Sequence, residues 1–176
     1  MRELKRRGAV ADALPVLMMP DGGMGEDFLH IAGLLQVGVA NGTMRPWLLV
    51  GVENIERRRD LTEPTSSLSE RKIATRVGGS QAFRQFIRRE LLPQVHRRFR
   101  VSNETAIVGE SLAGLFVMEI FAVQPDLFNV YSAIDPEPVV EPLAVDEARP
   151  GPVLRPISRR EISLCGMELR CAAGNG

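Results

Sequence analysis

The segment from residue 109 to residue 114 reads Gly-Glu-Ser-Leu-Ala-Gly, and it is the part of the chain best suited to covalent chemistry. A serine hydroxyl attacks an ester only when it projects from the backbone, has a base and faces donors for the developing oxyanion. A sharp turn from a strand into a helix exposes the serine but strains it, so the residues two before and two after must be small. Gly109 and Ala113 satisfy this requirement. Ser111 is therefore the candidate nucleophile, and an ordinary tight turn is the alternative.

Backbone amides are the candidate oxyanion donors. A helix that begins just after Ser111 directs its first N–H groups at the reacting carbonyl, so the amide of Leu112 is the first candidate. The second donor should come from the loop after an earlier strand, where residues 20–23 read Pro-Asp-Gly-Gly. Glycine lets a substrate approach the backbone closely, which favours the amide of Gly22. The alternative is a simple turn into a helix, with Asp21 as its cap.

Short apolar runs and helical periodicities predict the elements that position these groups. Four runs are typical of buried strands: Leu14–Met19, Trp47–Val52, Thr105–Val108 and Val130–Ile134. Helical spacing is found at Phe28, Ile31, Ala32, Leu34 and Leu35, over residues 83–99 and over residues 115–123. Ser80 is expected to cap the second helix and Pro93 to kink it. The alternation predicts an α/β fold with a mostly parallel sheet and helices on both faces.

Composition limits the classes of partner and the compartment. Twenty-two basic residues balance 22 acidic ones, which argues against nucleic acid or an anionic membrane as a partner and favours a small-molecule substrate. The arginine run at 57–59 is interpreted as a solvated face, with an anion-binding patch as the alternative. Cys165 and Cys171 are too few and too close together for a disulfide scaffold or a zinc site, and no apolar run is long enough to span a bilayer. We expect a cytoplasmic protein without a signal peptide or a metal; the oligomeric state is left open.

Several segments together resemble one enzyme family. They are residues 14–22, residues 50–54 (Val-Gly-Val-Glu-Asn), residues 59–62 (Arg-Asp-Leu-Thr), Gly78-Gly79 with Phe83 and Phe86, and residues 109–116. In this order they resemble the α/β-hydrolase family of enterochelin esterases and esterase D type enzymes, over residues 14–136. The resemblance implies a serine carboxylic-ester hydrolase without a cofactor, with Ser111 as the nucleophile. It also places Asp21 beside the oxyanion site and Asp60 in the loop bordering the substrate pocket.

The rest of a catalytic triad is not found after Ser111. In this family an acid and then a histidine follow the serine, whereas the two histidines here, His30 and His96, both precede it. Asp135 follows a predicted strand but comes too early to be assigned as the acid. We expect weak or absent activity, since a serine without its base loses several orders of magnitude in rate. The alternatives are a non-catalytic binding or scaffold protein and a histidine supplied by a partner chain.

The segment after Pro136 departs from the family. Residues 1–136 are interpreted as a partial hydrolase domain and residues 137–176 as a tail outside it, disordered or loosely packed. The family continues here with a Ser-Leu-Trp-Trp-Asn type segment. Written as AGC CTG TGG TGG AAC with one G inserted in front, that segment reads GAG CCT GTG GTG GAA, which encodes the Glu-Pro-Val-Val-Glu found at residues 137–141. A frameshift near codon 137 is therefore expected, and a genuine divergent terminus is the alternative.

We predict that nucleotide sequencing across codons 130–145 will reveal this shift. Deleting one base should open a downstream frame that encodes Trp-Trp and, later, an acid and a histidine. If no such frame opens, the frameshift hypothesis is wrong.

Overall fold

One five-stranded sheet forms the centre of the computed structural model, which describes residues 13–65, 76–137 and 167–170. Its strands are β1 (Leu14–Pro20), β2 (Leu48–Val52), β3 (Val101–Glu110), β4 (Val130–Ile134) and β5 (Met167–Arg170). They lie in the order β2-β1-β3-β4-β5, and only the pairing of β5 with β4 is antiparallel. The predicted mostly parallel sheet of the α/β class is confirmed.

Helices connect the parallel strands, as a parallel pair requires a crossover. They are α1 (Phe28–Ala40), α2 (Arg57–Leu61), α3 (Ser80–Phe86), α4 (Leu92–Arg98) and α5 (Leu112–Val123). A π-helical turn, Ile87–Leu91, joins α3 to α4 just before Pro93, which lies in the first turn of α4. A proline has no N–H to donate, so the regular ladder of helical hydrogen bonds is interrupted at Pro93, and the π-helical turn lies directly before this interruption.

The two faces of the sheet carry different helices. Alternate strand residues such as Met18 and Ile107 contribute to the main core, in which Phe83, Phe116 and Ile120 are buried. On the other face, Ile31 of α1 lines a small cavity together with Met19, Val108 and Ile134. Successive strand residues point to opposite faces of the sheet, so apolar strand side chains pack against helices on both faces, as the short apolar runs predict.

Three local predictions differ from the structure. Ser80 is the first residue of α3 rather than its cap; Gly79 is the N-cap, and it forms no side-chain capping bond. Leu34 lies on the outer face of α1 and is 57% exposed. The polar sequence between Glu53 and Gly79, which has no sustained period, predicts a long surface loop, but this segment contains α2. Propensity and spacing cannot decide these points, since packing partners from distant segments fix them.

The predictions made for the C-terminal segment fall largely outside the described residues. Residues 138–166 and 171–176 are not described, so the domain boundary at residue 136 stays a prediction. Met167–Arg170 forms β5, which pairs with Val130–Ala133 of β4. In the described part of the chain, no helix is both long and apolar enough to cross a bilayer.

A buried ion pair joins α3 to α5, the helix that follows Ser111. The side chains of Arg84 and Glu119 are 8% and 2% exposed and contact each other directly. Burial lowers the pKa of Arg84, since desolvation disfavours its charged form. The Ser80 hydroxyl accepts a further hydrogen bond from Arg84, at 3.4 Å.

Replacing Glu119 with leucine should lower the free energy of unfolding by about 3–5 kcal/mol, because Arg84 is then buried without a counter-charge. Combining Glu119→Leu with Arg84→Met should recover most of this loss. Urea unfolding followed by circular dichroism measures both variants. A cost below about 1 kcal/mol for Glu119→Leu alone would show that the pair behaves like an exposed one.

Candidate active site

Ser111 occupies a strained turn between β3 and α5. Its φ of 55° and ψ of −118° are unusual for a residue with a side chain. Hydrogen bonds hold this conformation: the Ser111 N–H donates to the Ile134 carbonyl at 3.0 Å, and the Ser111 carbonyl accepts from the N–H groups of Leu115 at 2.9 Å and Glu137 at 3.1 Å. The turn has the strand before it and the apolar helix after it that the sequence motif requires.

The small residues around Ser111 leave no room for a larger side chain. A Cβ atom on Gly109 would lie 2.5 Å from the Ala113 carbonyl oxygen, and one on Gly114 would lie 3.0 Å from the Ile134 carbonyl oxygen. Ala113 is 1% exposed, so its methyl group fits the space where the sequence motif more often has glycine. Close approach of β3, α5 and the end of β4 is therefore a condition of this turn.

The two predicted oxyanion donors differ in whether their N–H groups already donate a hydrogen bond within the protein. Leu112 begins α5, so its N–H is one of the helix amides without an acceptor inside the helix. The Gly22 N–H donates to the Val52 carbonyl at 2.9 Å, and a Cβ on Gly22 would lie 2.5 Å from the Gly51 Cα. Gly22 is thus committed to packing against β2, and its role as a donor stays a prediction that requires this bond to break. The neighbouring Gly23 N–H holds a carboxylate oxygen of Glu26, at 2.7 Å.

Asn54 links the two predicted pocket residues, Asp21 and Asp60. The Asn54 side-chain carbonyl accepts the Asp21 N–H at 3.0 Å, and its amide group donates to Asp60 Oδ2 at 3.3 Å. Asp21 follows β1 with a φ of 52°, and Asn54 follows β2 and is buried. Asp60 lies in α2 rather than in a loop, so the buried amide fixes the turn after β1 relative to α2.

Burial raises the pKa of Asp21, and the Arg57 guanidinium, whose Nε donates to Asp21 Oδ2 at 2.5 Å, opposes this effect. A raised pKa means that the folded chain binds this proton more tightly than the unfolded chain. The contribution of Asp21 therefore favours folding at low pH and is lost as the pH rises through its folded-state pKa. Asp21 has a strained backbone and a partly desolvated carboxyl group, and it lies at the edge of the site. Both properties are frequent among residues of catalytic and ligand-binding sites.

The arginine run at residues 57–59 is more than a solvated face. Arg57 pairs with the buried Asp21, Arg58 lies 3.7 Å from the Glu137 carboxylate, and Arg59 pairs with Asp60. Since α2 presents all three, it joins the loop after β1 to the segment after β4. The side chains of Arg57 and Arg59 are 42% and 45% exposed, as expected for a solvated face, but Arg57 also pairs with a carboxyl group that is only 9% exposed.

Glu137 is the ionisable side chain that contacts the predicted nucleophile: the Ser111 hydroxyl donates to Glu137 Oε1 at 3.4 Å. His30 and His96 are exposed, and His30 Nδ1 lies 3.3 Å from Asp27 Oδ1 on its own helix turn. Asp135 is exposed at the end of β4, with a φ of 41°. The described residues contain no group of three or more His, Cys, Asp or Glu side chains that could hold a metal ion.

Sequence reasoning missed three site residues, namely Asn54, Arg58 and Glu137. Asn54 belongs to a segment that carries the family resemblance, so its position after a buried strand was a usable signal. No local sequence pattern indicates a role for Glu137, because its contact with Ser111 depends on the pairing of β4 with β3. The structure brings Ser111, Arg58 and Glu137 together, and it brings Asp21, Asn54 and Asp60 together.

We predict opposite effects for the same substitution at two glycines. Gly109→Ala should destabilise the chain by about 1–3 kcal/mol, because its methyl group meets the Ala113 carbonyl. Gly33→Ala in α1, where a Cβ meets nothing within 4 Å, should stabilise it by about 0.4–1 kcal/mol. Urea unfolding measures both, and a Gly109→Ala variant as stable as the Gly33→Ala variant would argue for an ordinary turn at Ser111.

Comparison with known proteins identifies the family of the chain. The family model described as "Putative esterase" matches residues 7–147. The ferri-bacillibactin esterase BesA of Bacillus subtilis (strain 168) is 34% identical over 106 residues, which are 57% of this chain and 35% of that protein.

Solved structures show the same fold. The siderophore hydrolase EstA from Aspergillus nidulans superposes with a TM-score of 0.61 at 24% identity, over 73% of this chain and 47% of that one. An IroE-like serine hydrolase from Shewanella oneidensis gives 0.60 at 32% identity, over 71% and 41%. The chain thus spans less than half the length of these relatives. It has the α/β-hydrolase fold, and it belongs to the esterase family whose model it matches.

Proposed function

We propose that the chain carries the nucleophile of a serine carboxylic-ester hydrolase, with Ser111 attacking the ester carbonyl. The observation that supports this most strongly is the strained backbone of Ser111, with a φ of 55°, at the junction of a buried strand and a buried helix. Strain of this kind persists only where the surrounding structure enforces it, and in a hydrolase it serves to expose the hydroxyl.

The reaction has two stages. The Ser111 oxygen forms a bond to the carbonyl carbon as its proton passes to a general base, and the Leu112 N–H stabilises the resulting oxyanion. When the intermediate collapses, the bond to the alkoxy group breaks, the base returns the proton to the departing alcohol, and water then hydrolyses the acyl-serine. The chemistry needs no metal and no organic cofactor. The Gly22 amide is the proposed second donor, on condition that its bond to Val52 opens.

The substrate class is a small-molecule ester, with siderophore-type esters as the specific candidates. This rests on relatives that are called a ferri-bacillibactin esterase and a siderophore hydrolase. Asp21 and Asp60 are the proposed pocket residues, and α2 places Arg57 and Arg58, with side chains 42% and 34% exposed, beside them. Partly exposed guanidinium groups can bind the oxygen-rich face of an anionic ligand.

A cytoplasmic location and the absence of a nucleic-acid partner are part of the proposal. They rest on the balanced charge of the chain and on its two cysteines.

A second candidate is a protein that binds such a ligand without turning it over. One observation favours it: in the described ranges neither histidine contacts Ser111, and the side chain of His30 is 80% exposed. A serine without an imidazole partner reacts slowly.

We predict that Ser111→Ala abolishes hydrolysis of p-nitrophenyl butyrate and stoichiometric labelling by a fluorophosphonate probe. The free energy of unfolding should change by less than about 0.5 kcal/mol, because the hydroxyl projects from the turn. Ser102→Ala, at the opposite end of β3, is the control and should keep both activities. Hydrolysis that survives Ser111→Ala would refute the assignment, whereas binding of the ester without labelling of the parent chain would favour the second candidate.

A further inference from the structure

The Ser111 hydroxyl has an acceptor in this chain although no histidine lies beside it. Glu137 Oε1 is 3.4 Å from Ser111 Oγ. This distance is long for a hydrogen bond between oxygens, but catalytic contacts commonly shorten when the substrate binds. The side chain of Glu137 is 32% exposed, so water and substrate can reach the pair.

Backbone contacts place Glu137 next to the nucleophile. The Glu137 N–H donates to the Ser111 carbonyl at 3.1 Å, and the Ile134 carbonyl accepts the Ser111 N–H at 3.0 Å. The first and last residues of the segment 134–137 are therefore both hydrogen bonded to the backbone of Ser111. Gly114 permits this, since a Cβ there would lie 3.2 Å from the Pro136 Cα. The side chain of Glu137 is thus presented to Ser111 by the fold itself.

Arg58 fixes the other end of the Glu137 carboxylate. Its Nη2 lies 3.7 Å from Oε2, which leaves Oε1 directed at the Ser111 hydroxyl. Arg58 is therefore a positioning residue for the Glu137 carboxylate.

We propose that Glu137 is the general base for Ser111 in this chain. The proposal rests on the proposed esterase function, and it concerns the residue that this chain carries at position 137, whether or not a frameshift placed it there. As Ser111 Oγ bonds to the ester carbonyl carbon, its proton passes to Glu137 Oε1. The π electron pair of the carbonyl group moves onto the carbonyl oxygen, which becomes the oxyanion. When the intermediate collapses, the bond to the alkoxy group breaks and Glu137 returns the proton to the leaving alcohol. Water then attacks the acyl-serine, giving its proton to Glu137, and Ser111 recovers a proton as the acid leaves.

A carboxylate accepts a proton less readily than an imidazole does, so the reaction should be slow. The role of Glu137 nevertheless agrees with the requirement that a serine nucleophile have a base within hydrogen-bonding reach. It also assigns a function to the contact between Ser111 and the segment after β4.

The test is the rate at which a fluorophosphonate probe labels Ser111, measured by intact mass and peptide mapping. Glu137→Gln keeps the shape of the side chain but removes its capacity as a base, and it should slow labelling about 100-fold. Asp135→Asn is the matched control: it removes one negative charge from the same segment, and asparagine tolerates the positive φ at this position. Its labelling rate should equal that of the parent chain.

Rescue separates a base from a structural role. Glu137→Ala should label slowly and recover when formate is added, since a small carboxylate can enter the vacated space and accept the proton. Formate should not accelerate the parent chain or Asp135→Asn. Equal melting temperatures of the variants exclude loss of the fold as the cause.

The outcomes distinguish the two proposals. Labelling of Ser111 in Glu137→Gln at the parental rate or faster, or slow labelling in Glu137→Ala that formate does not rescue, overturns the role of Glu137 and leaves the nucleophile assignment intact. A parent chain that is never labelled at Ser111 overturns both.

Discussion

The backbone of Ser111 cannot relax, and the arrangement of the site depends on this. A residue at φ 55° and ψ −118° is held by hydrogen bonds to Ile134, Leu115 and Glu137 and by close packing around Gly109. The cost of such a conformation is of order 1–3 kcal/mol, and the buried core beneath it must supply that free energy. Phe116 and Ile120 of α5 are fully buried in this core, and the helix that begins at the strained turn has more buried residues than any other helix in the described ranges.

Polar and charged side chains at the edge of the site form two groups, which α2 links. Asn54 joins Asp21 to Asp60, and Arg58 joins α2 to Glu137 beside the nucleophile. Adjacent residues of one short helix, Arg57 and Arg58, therefore reach opposite sides of the site. Partly exposed ion pairs contribute little stability, so their value here lies in positioning.

The sequence predicted the parts of the structure that depend on local pattern. Short apolar runs predicted the four parallel strands, because parallel strands are buried on both faces. The strain at Ser111 followed from the spacing of small residues, since the steric demand is local. The hydrogen bond of Gly22 to Val52, the bridge made by Asn54 and the approach of Glu137 to Ser111 could not be predicted. Each depends on which strands lie side by side, a property that a single sequence does not encode locally.

The most direct test of the account is a crystal structure of the chain after reaction with diisopropyl fluorophosphate. We predict continuous density from Ser111 Oγ to phosphorus, an unchanged positive φ at Ser111, and a phosphoryl oxygen within hydrogen-bonding distance of the Leu112 N–H. An adduct on another residue, or a phosphoryl oxygen directed away from the first turn of α5, would contradict the assignment of Ser111 as the nucleophile of an ester hydrolase.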